Sequence, residues 1–369
     1  MKTARLWNIW IPTFAILAGL LIGAFIMVIF GYNPVDNYLS MFQGAFGDIN
    51  SWGATLSDMT PLIFTALGFS IADSAGFFNI GSPGQALVGW LAAVWFALAN
   101  SSLPGWLLIP GALLMGGVAG ALLSGLAGVL RAYFGTNEVI STIMLNYVAL
   151  YVVNYLVQTQ LAIHHNDYSK TIPAAARLRT PFLEQLTRNS TFSYGFFMAL
   201  AAAIIIFIVM RFSRIGFEIR AVGLNPTGAA YLGINSKAVI IRSMALSGFL
   251  SGLGGAINGL GNYENITVSS ALPTIGFNGM AVSLLAGGNP LGILPAALLF
   301  SGLSIGGLNM SVVSNTPPEI VNVIIPTIIF FVGCNYAIRY LLNHQIWRKR
   351  AADHPAEAAQ TTTFKREVD

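Results

Sequence analysis

From Ser74 to Leu130 the chain carries no Asp, Glu, Lys or Arg, and the run between Asp73 and Arg131 is broken only by Gly, Pro, Asn, Gln and a few Ser. A soluble domain cannot spare so much polar surface. About 20 apolar residues cross one bilayer core, so this segment alone accommodates two or three crossings. Composition agrees: the chain is 55% hydrophobic and 9% charged, with a mean hydropathy of +0.69, against about 25% charged residues in ordinary soluble proteins. The fold class expected is all-α, a polytopic membrane protein. The net charge of +4 does not point to nucleic acid, because Lys and Arg fall in short clusters beside apolar segments, as orientation signals do. Cys334, the only cysteine, sits in an apolar segment. That excludes an intrachain disulfide and a cysteine-based metal site.

Apolar stretches bounded by charges or Gly/Pro clusters predict about ten crossings, near 8–30, 56–72, 84–100, 106–130, 138–160, 193–212, 238–261, 273–287, 290–310 and 318–341. The first follows Lys2 and Arg5 but is too long for a secretory signal, so it is expected to stay as a helix. The eighth and ninth are short, separated by Gly287, Gly288, Asn289 and Pro290, and are expected as half-helices. With ten alternating spans, Lys2, Arg5, Arg131, Arg211, Arg214, Arg220, Lys237, Arg242, Arg339, Arg348, Lys349 and Arg350 share one side, which the positive-inside rule makes cytoplasmic. Both termini then lie inside, and the 161–192 loop lies outside. Its adjacent His164 and His165 lack the further ligands that a metal requires. The transmembrane domain is expected over 1–345, with a cytoplasmic loop at 211–238, and the polar Ala/Thr-rich 346–369 tail reads as disordered.

Catalytic motifs are missing from the sequence. None of the lysines follows a glycine as a P-loop requires, so any ATP is bound by another subunit and this chain carries no cofactor. Ion-coupled transporters usually keep carboxylates inside the membrane. Here Asp36, Asp48, Asp58, Asp167, Glu184, Glu264 and Glu319 are expected near or beyond the outer boundary, and Asp73, Glu138 and Glu218 near the inner one. An ion-coupled secondary transporter is therefore the disfavoured alternative, and a membrane scaffold without transport is a third reading.

The 211–238 loop reads as a short helix between breakers. Gly223 ends one turn, Asn225 caps the next, Pro226 suits its first helical position, and Gly233 closes it. A solvated connector is the plain reading. The small side chains, flanked by Glu218 and Arg220, also suit a helix that docks in a partner's groove.

The segment Gly216 to Ile234, G-F-E-I-R-A-V-G-x-N-P-x-x-A-x-x-x-G-I, resembles the coupling-loop motif of ABC importer permeases of the branched-chain amino acid, ribose and nucleoside group. FFNIGSPGQALVG, Phe77 to Gly89, resembles that group's F-N-I-G-x-x-G-Q motif, and GTNEVISTIMLNYVA, Gly135 to Ala149, resembles the nucleoside branch. Ser82-Pro83 departs from the acidic or polar residues commoner before Gly-Gln. The resemblance implies half of a translocation pathway in a bacterial plasma membrane, paired with a second permease. It also implies an extracytoplasmic lipoprotein that delivers the nucleoside and two ATPase subunits docked beneath. Residues at the ATPase contact would be Glu218, Arg220, Gly223, Asn225, Pro226, Ala229, Ala230 and Gly233. Simple sugars or branched-chain amino acids are the alternative cargo.

Amides in a bilayer face protein or water. The pathway candidates are therefore Asn79 and Gln85 at the Gly81–Pro83–Gly84 break, with Asn137, Glu138, Asn146 and Asn154 on the fifth span. Phe277 and Asn278 join them, with Phe77 and Phe78 as further stacking surfaces. Interhelical hydrogen bonding is the competing role of any one amide. Gly116 and Gly120, Gly248 and Gly252, Gly255 and Gly259, and Gly302 and Gly306 carry the four-residue spacing of close helix packing. TIGFNGMAVSLLAG, from Thr274, faintly echoes NIGSPGQALVGWLAAV, from Asn79, which hints at two related halves.

Overall fold

The computed structural model describes residues 17–162 and 167–313 and a few isolated positions as far as residue 330. The chain divides into two units, residues 27–321 and the flanks 1–26 and 322–369. The helical bundle lies in the first unit. His164 and His165, the 346–369 tail and nearly all of the expected 318–341 span lie outside the described residues.

Among the described residues, seven helices are long and apolar enough to cross a membrane. They are α3 (Ile49–Ser74), α4 (Ser82–Ala99), α5 (Gly105–Phe134), α6 (Glu138–Leu156, continued by a π turn to Leu161), α8 (Gly195–Phe212), α11 (Ser236–Ile257, continued by a π turn to Tyr263) and α13 (Ile293–Val313). They match seven of the expected spans. Two shorter apolar helices, α1 (Leu17–Ile29) and α12 (Thr274–Leu285), match two more. The sequence did not predict α2 (Pro34–Phe46) or α7 (Pro181–Leu186). Asn33 starts α2 by accepting the Val35 N–H at 3.0 Å, and Asn309 of α13 donates to the Ser40 carbonyl at 3.0 Å.

The expected pair of half-helices is corrected to one. With 12 residues, about 18 Å, α12 is too short to span, whereas α13 has 21 residues and spans. The chain before α12 is spent on an extended stretch, where the Ser169 N–H donates to Ile266 at 2.9 Å and the Val268 N–H to Asp167 at 2.7 Å. Gly287 and Gly288, both left-handed (φ 62° and 70°), turn the chain directly into α13.

Burial sorts the spans. In its most apolar window α3 is 83% buried, against 28% for α6 and 22% for α8, so α3 is the central post. Its buried hydroxyls find partners as hydrocarbon surroundings require: Thr65 bonds back to Pro61 at 3.0 Å, Thr55 reaches Ala45 at 2.9 Å, and Ser70 reaches Gly288 at 2.6 Å. Asp58, expected near or beyond the boundary, is the tenth residue of α3, about 14 Å from its start, half-buried and in reach of Ser301 on α13. The Ser301 hydroxyl beside it donates to the Thr55 carbonyl one turn earlier, so a segment far along the chain packs against this acid's stretch of α3.

The glycine rows lie where backbones meet. A Cβ on Gly120 would strike the Gly248 carbonyl, and one on Gly252 the Gly116 carbonyl, so α5 and α11 touch main chain to main chain. Gly89 of α4 meets Gly252, Gly255 meets Ala86, and Gly306 of α13 meets Met41 of α2. Without a hydrophobic drive between helices in lipid, such close approach supplies dispersion contact. At the far end of α11, Arg179 donates to the carbonyls of Gly261 and Asn262, and it pairs with Glu264 at 3.6 Å, as Arg177 does at 3.2 Å. These cations satisfy and neutralise a helix C-terminus.

Candidate functional site

Two regions collect the residues singled out above. The first is the connector between α8 and α11, which folds as two helices, α9 (Arg214–Leu224) and α10 (Pro226–Tyr231). Ser213 caps α9 through the Gly216 N–H at 3.2 Å, and Asn225 caps α10 through the Gly228 N–H at 2.9 Å. Pro226 occupies the first turn of α10 and Gly233 adopts φ 78°, as the breaker pattern predicts. Gly223 sits in the last turn of α9, one residue before its end, where a Cβ would strike the Ser74 carbonyl, while Gly216 lies equally close to the backbone of Val209 and Met210. α9 is thus pressed against the ends of α3 and α8 at once.

Glu218 accepts from Arg214 at 2.8 Å and Arg220 is exposed. Ala229 is buried against its own scaffold, whereas Ala230 is exposed. The side chains offered outward are larger: Leu224, Tyr231 and Leu232 are 89%, 90% and 73% exposed. Sequence reading missed these three. Their signal was available, since Leu224, Tyr231 and Leu232 flank the breaker-rich turn of the loop, where bulky apolar side chains are costly to leave in water. Beside them Glu218, Leu232, Gly233, Asn235 and Arg242 line a cleft of about 530 Å³.

The second region surrounds the break before α4. Asn79 is fully buried and its amide donates to Ser247 at 2.8 Å and to Gln85 at 3.2 Å, while its oxygen accepts from Gln85 and from the Gly81 N–H. Asn146 of α6 accepts the Gly84 N–H and donates to the Ile80 carbonyl, both at 2.9 Å. The three amides therefore spend their hydrogen bonds on the chain itself, tying the start of α4 to α6 and α11. Asn137 caps α6 through Val139 at 2.9 Å, next to the Glu138–Arg131 pair at 3.4 Å, and Asn154 is bonded to Ser269 at the other end of α6. Phe277 of α12 is 41% exposed and Asn278 half-buried. A Cβ on Gly276 would strike the backbone of Pro83, so the two segments that echo each other meet at their N-termini.

Replacing Asn79 by leucine is expected to leave Ser247 and Gln85 unpaired, a loss of about 1–3 kcal/mol. The check is a thermal midpoint of the solubilised protein lowered by several degrees; an unchanged midpoint with a weakened apparent affinity would place Asn79 on the pathway instead.

Comparison with known proteins adds the family. Residues 52–333 match the family described as branched-chain amino acid transport system / permease component. The chain is 44% identical over 340 residues to the nucleoside ABC transporter permease protein NupB of Lactococcus lactis subsp. cremoris, covering 91% of this chain and 93% of the relative. It is 42% identical over 338 residues to the guanosine ABC transporter permease protein NupP of Bacillus subtilis, covering 92% and 97%. The glucose ABC transporter permease protein TsgB13 of Haloferax volcanii is 30% identical over 356 residues, covering 94% and 93%. With Asp58 inside the bundle, the case against ion coupling passes from carboxylate placement to this kinship. A helical bundle whose connector folds into a capped knob, matched over most of its length to one family, belongs to the permease components of transport systems of the branched-chain amino acid type.

Proposed function

We infer that this chain is the membrane permease subunit of an ATP-driven nucleoside importer and forms half of the translocation pathway. The observation that carries the cargo is the gradient of identity, 44% and 42% to permeases of nucleosides and guanosine against 30% to one of glucose, each over more than nine tenths of the chain. The chain supplies no nucleotide-binding loop, so the work comes from an ATPase. Its docking point in this reading is the α9–α10 knob, where Leu224, Tyr231 and Leu232 fill an ATPase groove and Glu218, Arg220, Gly223, Asn225, Pro226, Ala229, Ala230 and Gly233 shape and hold it.

The remaining partners belong to the same reading. A second, different permease completes the pathway, and an extracytoplasmic lipoprotein delivers the nucleoside. The excess of Lys and Arg on one side supports a bacterial cytoplasmic membrane location with both termini and the knob in the cytoplasm. Deleting the chain is expected to abolish uptake of radiolabelled guanosine by whole cells and to leave glucose uptake unchanged. Guanosine uptake that survives the deletion, or that persists after removal of the ATPase, refutes the reading; loss of glucose uptake instead would favour a sugar cargo.

A further inference from the structure

We propose that Tyr147, Tyr151 and Tyr155 of α6 form an aromatic ladder on which the base of the transported nucleoside stacks as it crosses the membrane; this rests on the nucleoside reading above. α6 and α8 are the two least covered long spans, and their bare faces differ. On α8 the face is hydrocarbon, with Phe197, Leu200, Ile204, Ile205 and Ile208 all at least 36% exposed, as lipid contact requires. On α6 the three tyrosines are 50%, 69% and 65% exposed. Their four-residue spacing puts them on one face with a rise of about 6 Å per rung.

None of the three phenol hydroxyls has a hydrogen bond among the described residues. Tyr147 and Tyr151 stand about 13 and 20 Å along α6 from Glu138, at the depth of the hydrocarbon core, and Tyr155 stands near the far end of the span, toward the headgroup level where membrane tyrosines collect. Hydroxyls at that depth against lipid tails would stay unpaired, a cost that water or a polar ligand removes. The face carries no charge; Met144, Val148 and Val152 flank the rungs. Planar rings with hydroxyl edges in an uncharged setting suit a planar, uncharged ligand with polar edges, which describes a nucleoside and excludes a nucleotide. The ladder also continues the site already described: Tyr147 follows Asn146, which holds the start of α4, and α12 with its exposed Phe277 abuts the same turn.

The test uses whole cells carrying the complete transporter, with Cys334→Ser removing the only native cysteine. In Tyr151→Cys, and independently Tyr155→Cys, a water-soluble thiosulfonate is expected to label the new thiol, and guanosine to slow labelling at least about fivefold, the low end of base-on-aromatic stacking. Ile205→Cys on α8 stays unlabelled. Tyr151→Leu raises the half-saturating guanosine concentration by a similar factor at unchanged membrane abundance. Thiols at 151 and 155 as inert as at 205 mean that lipid or the second permease covers the stripe and overturn the proposal, as does labelling that guanosine leaves unchanged. Failure of the unmodified transporter to take up guanosine would overturn the parent reading instead.

Discussion

Replacing Gly223 with tryptophan is expected to abolish ATP-driven uptake while the protein still inserts in the membrane. Gly223 sits where α9 rests on the end of α3, and a single Cβ there already collides with the Ser74 carbonyl. An indole must push α9 away from that contact. The spans are held by α5, α11 and α4 and do not depend on this touch, so insertion survives. What is lost is the close contact between the knob and the central post α3, the link through which, in the proposed reading, movement of an ATPase would reach the bundle. The measurement pairs guanosine uptake with the amount of permease in the membrane fraction, and the expected ratio falls at least about a hundredfold, the scale of a coupling free energy near 3 kcal/mol. Glu218→Arg is expected to act in the same direction, since it sets two cations side by side where Arg214 and Glu218 now pair at 2.8 Å. Native uptake in both variants would reduce α9 and α10 to a connector.

The second large effect is on assembly. Gly252→Leu is expected to remove most of the protein from the membrane, because Gly252 is wedged against Gly89 of α4 and Gly116 and Gly120 of α5. A four-carbon side chain has no room on either side, and overpacking a tight interface costs about 1–3 kcal/mol even when neighbours relax. Here the neighbours are main-chain atoms, which relax least. Gly125 on the same α5 is the control: a Cβ there meets only Ala245 at 3.8 Å, an ordinary contact, so Gly125→Ala should accumulate normally. Equal abundance of the Gly252→Leu and Gly125→Ala proteins would show that the glycine rows do not hold the bundle.

Local chemistry was read correctly where it is self-contained. The caps at Asn225 and Pro226, the left-handed Gly233 and the four-residue glycine rows each follow from a few neighbouring residues. Readings that depended on a distant segment went astray or stayed open. Asp58 read as near or beyond the outer boundary, and its neighbour Ser301 is supplied by α13. Gly223 reads as a stop signal and does lie in the last turn of α9, but the sequence does not show that its smallness also admits the carbonyl of Ser74. The pathway amides could not be sorted by type: Asn79, Gln85 and Asn146 turn out to be bonded within the chain, whereas the exposed tyrosines of α6 drew no notice in an apolar run.

That division has one physical cause. In a bilayer every backbone polar group must be satisfied within its own segment, so composition along the chain is enough to decide that these stretches are helices and where most of them lie. Once each helix is formed, most of its side chains are apolar and tolerable to lipid on any side, and composition says little about which way a helix is turned. The rotation of α6, the depth of Asp58 and the outward set of Leu224, Tyr231 and Leu232 are fixed only when backbones far apart in sequence come within contact of one another.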